Sequence, residues 1–354
     1  MKLSIKNIAI LVIIVFINSG LAAQKSAFDS VVNEYHNKKG FNGTIVVVDK
    51  QGKPWMKAVG ERNRSTHQMH TLDSKFRILS FTKAFAAILV MKLWEQGKID
   101  LDATIGTYFP EYTGAGKSKV TIHHMLTYSS GIEDPLGEAG VNPYVVKKNL
   151  DAFIKEYCSG KLVREPGTES VYGNVEYILL QKILEKQSGL SFEQLLKKEI
   201  LQPLKMSSTG ISRPEVEDKH WSKGYIYNDS TKTFTPETKY VSENFFAAGS
   251  MYSTVSDLLK LDRALFGGKL LGKKALEKLL TINEKLGYTA YGFWGSTGWG
   301  NFKEPFYYRT GGMEGATSNW IHATKSGVTI IVLCNNDGVN LYEMSEQLYL
   351  EALR

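Results

Sequence analysis

Two cysteines in 354 residues, Cys158 and Cys334, are too few for a disulfide scaffold. Cys334 stands inside "VTIIVLCNN", which reads as a buried strand, so a free buried thiol is expected there. Lysines and arginines give a net charge of +7, yet nowhere do they form the dense basic block that nucleic-acid binding requires. Hence no nucleic-acid partner is expected. Gly-x-Ser-x-Gly is missing, which excludes a serine on a nucleophile elbow. Gly116-Lys117-Ser118 ends like a phosphate-binding loop, but the glycine needed five residues before Gly116 is Glu111. A metal centre is no better supported. His123 and His124 are adjacent and diverge on a helix, while His67 and His70 have no acidic or sulfur partners in sequence. The expectation is a protein without metal or organic cofactor.

Past the first 23 residues no run is apolar enough to span a bilayer. The first stretch, "MKLSIKNIAILVIIVFINSGLAAQK", has Lys2 and Lys6, an apolar run from Ile8 to Ile17, and small residues before Gln24. That layout predicts a secretory signal peptide over residues 1–23, cleaved near Ala22 or Ala23; the alternative is an uncleaved anchor, against which stand the short apolar run and the Gly-Leu-Ala-Ala before Gln24. No cysteine lies beside the cleavage point to carry a lipid. The mature protein is expected to be periplasmic or secreted, with no stable membrane span, and with its charge reduced to about +5 by loss of the two lysines.

What remains is a globular chain, 43% hydrophobic and 22% charged, long enough for a large core. Residues 26–38 read as a helix. "FNGTIVVVDKQGKPWMKAVG" reads as a hairpin turning at Lys-Gln-Gly-Lys. From Ser80 the pattern is helical and apolar on almost every face, which marks a buried helix, with Gly97 as its stop. Residues 100–240 are mostly helix and loop. A helix recurs at "STVSDLLKLDRALFGG". Strands follow at "GFWGS", "PFYYRT", "ATSNWIHAT" and "VTIIVLCNN", and the helix "LYEMSEQLYLEALR" closes the chain. In "FYYRTGGMEGAT" the strand-like run stops at Arg309-Thr310, before two glycines. This order predicts an α/β (α+β) fold: one antiparallel sheet built from both termini (about 24–85 and 245–354), with a mostly helical insertion at about 86–244.

The most informative segment is "RILSFTKAFAAILVMKL". Ser80 and Lys83 are three apart at a helix start, and therefore share one face. Lys83 is surrounded in sequence by Phe81, Ala84, Phe85 and Ile88. A buried ammonium is costly unless paired or deprotonated, and a desolvated lysine can act as a base toward a neighbouring hydroxyl. Ser80 gains from the positive end of the helix dipole as its oxygen becomes anionic. Taken alone, the pair also fits an N-cap serine followed by a snorkelling lysine.

The surrounding sequence decides between these. "TLDSKFRILSFTKAFAAILVMKLWEQGKIDLDATIGTYFPEY", "TIHHMLTYSSGIED", "PGTESVYGNVEYILLQKILEKQSGLSFEQLL" and "AAGSMYSTVSDLLKL" resemble, in order, the blocks of the serine β-lactamase and penicillin-binding-protein superfamily. The similarity is to its class C β-lactamase and D-alanyl-D-alanine carboxypeptidase-like branch, from about Phe41 to Asp337. The resemblance implies that Ser80 is the acylated nucleophile and Lys83 its partner base. Tyr172 and Asn174 stand in the Tyr-x-Asn motif. There a phenol beside an ammonium can shuttle a proton, and an amide can donate to a substrate carbonyl while accepting from Lys83. Arg309-Thr310-Gly311 falls on the third motif, an edge strand along which substrate binds, and the backbone N–H groups of Ser80 and Gly312 would form the oxyanion hole. Two residues depart from the pattern. Arg309 replaces the usual Lys or His, cannot deprotonate, and is expected to bind a substrate carboxylate. Tyr128 stands where many relatives have His. The implied function is a serine hydrolase acting on esters, D-amino-acid peptides or β-lactams, with esterase or peptidase activity favoured by Arg309. The substrate would be a small molecule or derived from peptidoglycan. The alternative is a slowly deacylating or non-hydrolysing penicillin-binding or peptidoglycan-sensing protein.

Overall fold

The computed structural model describes residues 24–137 and 143–354, so the expected signal peptide lies outside the described residues. Helix α1 covers residues 24–39. The expected hairpin follows as β1 (Gly43–Val48) and β2 (Pro54–Val59), paired from Gly43↔Val59 to Val48↔Pro54. Its turn contains Gly52 at φ +77°, a left-handed conformation that favours glycine. Five further strands come from the other end of the chain: β3 (Thr289–Ala290), β4 (Phe293–Ser296), β5 (Phe306–Met313), β6 (Ala316–Ala323) and β7 (Thr329–Cys334). They join the hairpin in the order β3-β4-β5-β6-β7-β1-β2, antiparallel throughout. The β1–β7 pairing is where the two termini meet.

The four other long helices are α2 (Thr82–Glu95), α3 (Val175–Ser188), α4 (Val255–Phe266) and α5 (Leu341–Ala352). Both faces of the sheet are covered, which explains why "TIVVV" and "VTIIVLC" read as unbroken apolar runs. Ile45, Val47, Ile330 and Val332 pack with α1 and α5 in one cluster. Val46, Val48, Ile331 and Leu333 face the other way and join α2 and α4 in the larger one. Helix α2 is buried on nearly every side, from Thr82 through Met91. It packs against α3 and Lys273–Leu279. Gly97, at φ +69°, follows its end as expected.

Some short elements were not legible in the pattern. Phe76–Arg77, Met251–Ser253 and Gly210–Ile211 form a small sheet, and Tyr225–Asn228 pairs with Thr233–Pro236 in a ribbon. Segments of two to four residues are too short to show a period. Gly116–Ser118 lies in a turn, and both cysteines are buried and free.

Two expectations about the third motif are corrected. Strand β5 does not stop at Thr310 but runs through Gly311 and Gly312 to Met313, because those glycines pair with Ser318 and Thr317 of β6. Nor is β5 the outermost strand. Strand β4 reaches only Phe306–Tyr308, so Arg309–Met313 has an open edge although β5 lies inside the sheet.

Candidate active site

Ser80 sits in a single 3-10 turn, Leu79–Phe81, that leads directly into α2. Leu79 is held at φ +50°, a conformation that is uncommon for a bulky residue and persists only where the surroundings enforce it. Tyr128 (φ +55°) and Phe246 (φ +45°), also near the site, share this feature. Lys83 is in the first turn of α2 and completely buried. Its Nζ lies 2.7 Å from Asn174 Oδ1, 2.9 Å from the carbonyl of Ala248, 2.9 Å from Tyr172 Oη and 3.1 Å from Ser80 Oγ. The first two oxygens can only accept, so they take two N–H bonds. The third position on the nitrogen faces the two hydroxyls, where a proton can be given or received.

Tyr172 Oη is 2.6 Å from Ser80 Oγ. The residue is about half exposed (47%), while its hydroxyl reaches into the polar cluster. Burial of that oxygen raises the phenol's pKa, but the charges of Lys83 and Arg309 outweigh burial and bring it down to about 8. Burial pulls the Lys83 ammonium below its usual range; Arg309 adds to this, and Tyr172 opposes it. The Tyr172–Lys83 pair thus titrates as a unit.

Asn174 is the N-cap of α3 but makes no side-chain capping bond. Asp134 caps the helix instead. Its Oδ2 accepts from the Asn174 N–H at 2.6 Å and from Val175 at 3.4 Å, and Oδ1 from Leu136 at 2.9 Å. The Asn174 amide is therefore available to Lys83 and to Tyr144, whose hydroxyl accepts from Nδ2 at 3.1 Å. Asp134, Tyr144 and the Ala248 carbonyl carried no signal in the sequence, because each acts across 30 or more residues of separation.

On the opposite wall, Gly311 lies against the nucleophile's own backbone. A Cβ there would fall 2.2 Å from the carbonyl of Ile78 and 3.1 Å from the Ser80 nitrogen. Thr310 and Gly312 are exposed on the open half of β5. Arg309 differs from expectation. It is wholly buried, with Nε donating to the Ser80 carbonyl (2.8 Å), Nη1 to Tyr128 Oη (2.7 Å) and Nη2 to Tyr172 Oη (3.2 Å). Its guanidinium lies over the Trp294 ring, 4.8 Å from the centroid. The side chain alternates to the inner face of β5, so it meets the helix layer instead of solvent. His67 and His70 do not join this cluster, and among the described residues no group of His, Cys, Asp and Glu has metal-holding geometry. The chemistry available is that of a serine oxygen between a phenol and an amine, stabilised by a second, permanent cation.

Glu176 lies behind this motif in the first turn of α3 and is buried. Ser130 Oγ donates to its Oε1 at 2.7 Å, while Oε2 is without a partner and faces Gly173 beside Asp134. Burial raises its pKa to about 7, Asp134 adds to the rise, and Ser130 and Lys83 oppose it. The folded state thus holds this proton more tightly than the unfolded chain does. The sign is that stability falls as pH rises from about 4.5 to about 7, and the loss stays constant above that. Glu176→Gln is expected to be more stable than the parent at pH 8, on the order of 1–3 kcal/mol, the penalty of an unpaired buried polar group. The gap should close toward pH 4.5. Denaturation at both pH values measures it, and a pH-independent difference would contradict a role for this proton.

The family model described as Beta-lactamase matches residues 28–352. A putative penicillin-binding protein, PbpX, of Bacillus subtilis is 27% identical over 90% of this chain and 77% of its own length. The teichoic acid D-alanine hydrolase of Staphylococcus aureus is 22% identical over 70% of this chain and 60% of its own. Among solved structures, the octameric penicillin-binding protein homologue from Pyrococcus abyssi superimposes with a TM-score of 0.77 at 26% identity, covering 90% of this chain and 75% of that one.

Proposed function

The chain belongs to the beta-lactamase family, and from that premise we propose that it is a serine hydrolase working through an acyl-Ser80 intermediate on esters or amides, D-aminoacyl groups among them. The observation that carries this reading is the short contact between Ser80 Oγ and Tyr172 Oη, with Lys83 bonded to both. Ionised Tyr172 takes the Ser80 proton as Oγ attacks the acyl carbon. The carbonyl oxygen becomes an oxyanion and is received by the N–H groups of Ser80 and Gly312, donors of the kind that contribute about 2.7–4 kcal/mol each. As the intermediate collapses, the leaving group departs with the proton from Tyr172. Water then attacks the acyl carbon while losing a proton to Tyr172, and the bond from that carbon to Ser80 Oγ breaks as Tyr172 returns the proton to Oγ, releasing the acid. Asn174 orients the acyl carbonyl, and Thr310 flanks the bound acyl chain, while Gly311, expected to do so too, is buried against the Ile78–Ser80 backbone and lets the strand approach the nucleophile. In this reading the leader at residues 1–23 directs the enzyme out of the cytoplasm. A teichoic acid D-alanine hydrolase among the relatives supports the D-aminoacyl class.

The test offers purified protein short-chain nitrophenyl esters, D-amino-acid amides, a fluorescent penicillin and a chromogenic cephalosporin. Turnover of an ester or amide is expected, together with an acyl adduct mapped by mass to the peptide containing Ser80. Because Tyr172 must be ionised to receive the proton, kcat/KM should rise with pH to a plateau above about 8. Adducts without turnover would instead identify a slowly deacylating penicillin binder. Turnover with no adduct at Ser80 would defeat both readings.

A further inference from the structure

Tyr128 and Arg309, the two residues that depart from the motif pattern the sequence resembles, lie 181 residues apart and touch each other. Arg309 is fully enclosed, and three of its N–H groups are engaged, by a backbone carbonyl and two phenols. Tyr128 is as deeply buried. Its ring stacks on Trp294 at 5.8 Å and 11° and lies 5.1 Å from the Tyr172 ring. Its backbone is kept at φ +55°, against the preference of an aromatic residue. Strain of this kind is retained where a side chain must be aimed. The Tyr128 hydroxyl is aimed at the guanidinium, which has the Trp294 face on its flank.

Resting on the acyl-Ser80 reading, we propose that Arg309 is not a substrate-binding residue but the fixed counter-cation of the Tyr172 oxygen, that Tyr128 is the positioning residue that holds it there, and that the substrate class is consequently esters and amides without a carboxylate at this wall of the site. A planar fork held at three corners cannot turn toward a ligand without leaving the Ser80 carbonyl or a buried phenol unpaired. The other cation at the nucleophile, Lys83, is buried and already bonded to four oxygens. No ammonium or guanidinium among the groups meeting at Ser80 is left for a substrate carboxylate. The guanidinium also keeps its charge at every working pH, so its own field on Tyr172 stays constant while Tyr172 takes and returns the proton.

Matched nitrophenyl esters, one neutral and one carrying a terminal carboxylate, separate this from substrate recognition. Wild type, Tyr128→Phe and Arg309→Lys are compared across pH 6–10. Tyr128→Phe keeps the ring and removes the hydroxyl, leaving Arg309 with two of its three anchors and free to shift away from Tyr172. We expect kcat to fall about tenfold on both esters with KM little changed, and the alkaline-rising limb to move upward from about 8 toward the ordinary phenol range. Arg309→Lys has a single nitrogen for three oxygens, and should lose activity on the two esters by equal factors. A loss at least tenfold greater on the carboxylate ester in Arg309→Lys would overturn the proposal. So would an unshifted pH limb in a folded Tyr128→Phe. Should Tyr128→Phe not fold, the ratio of the two esters in Arg309→Lys decides alone. Failure of the underlying acyl-Ser80 reading looks different: turnover would then proceed without an adduct at Ser80 in wild type.

Discussion

Ser80→Ala is expected to lower kcat/KM for every substrate the wild type turns over by about four orders of magnitude or more, leaving only what binding and the oxyanion donors contribute. The reason lies in how many groups converge on one atom. Tyr172 Oη at 2.6 Å and Lys83 Nζ at 3.1 Å both point at Ser80 Oγ, and neither has another acyl acceptor to activate. Without Oγ no covalent intermediate forms, and the acyl adduct disappears along with turnover. The fold should persist, because the lost atom belongs to a partly exposed side chain and the 3-10 turn is held by its backbone. Steady-state rates, adduct mass and thermal midpoint measured on one preparation distinguish a dead site from an unfolded protein. Retained turnover would mean that the nucleophile lies elsewhere.

The second large effect comes from a residue with no side chain. Gly311→Ala would put a methyl 2.2 Å from the Ile78 carbonyl, 2.6 Å from Ser318 Oγ and 3.1 Å from the Ser80 nitrogen. Two of these atoms are backbone and cannot swing aside, so β5 must retreat from the turn that carries the nucleophile. A shift on the order of 1 Å between groups that act together costs about 100-fold in rate, and overpacking destabilises by about 1–3 kcal/mol. Both losses are expected in Gly311→Ala. The neighbouring Gly312→Ala is the control, since its Cβ would meet only Thr317 Cγ2 at 3.8 Å, and stability should stay within about 0.5 kcal/mol of wild type. Equal activity in the parent and Gly311→Ala would show that the close approach of strand and turn has no catalytic role.

These predictions rest on different kinds of information. Ser80 and Lys83 were legible together because three-residue spacing on a helix is a local fact, and the all-round apolar character of α2 announced that the lysine would be buried. The sheet was legible because a strand covered on both faces writes itself as a continuous apolar run. Tyr172 and Asn174 were legible only through resemblance, since a tyrosine and an asparagine before a helix have no pattern of their own. The extent of β5 is not legible in the sequence, because Gly-Gly is a common stop and only pairing with Ser318 and Thr317 carries the strand onward.

By itself, then, the sequence determined which long elements form and which hydroxyl stands one helical turn from a buried amine, since these follow from spacing and burial along a single segment. What those groups face was decided only by tertiary structure. Asp134 caps a helix from 40 residues away. Strand β4 ends early enough to open the edge of β5 beside Ser80. Arg309, which charge alone would assign to a substrate carboxylate, is turned inward by the alternation of its strand and held between Tyr128, Tyr172 and the carbonyl of Ser80. The sign of a side chain is written in its identity, but the partner that satisfies it depends on which surfaces folding brings within about 3 Å.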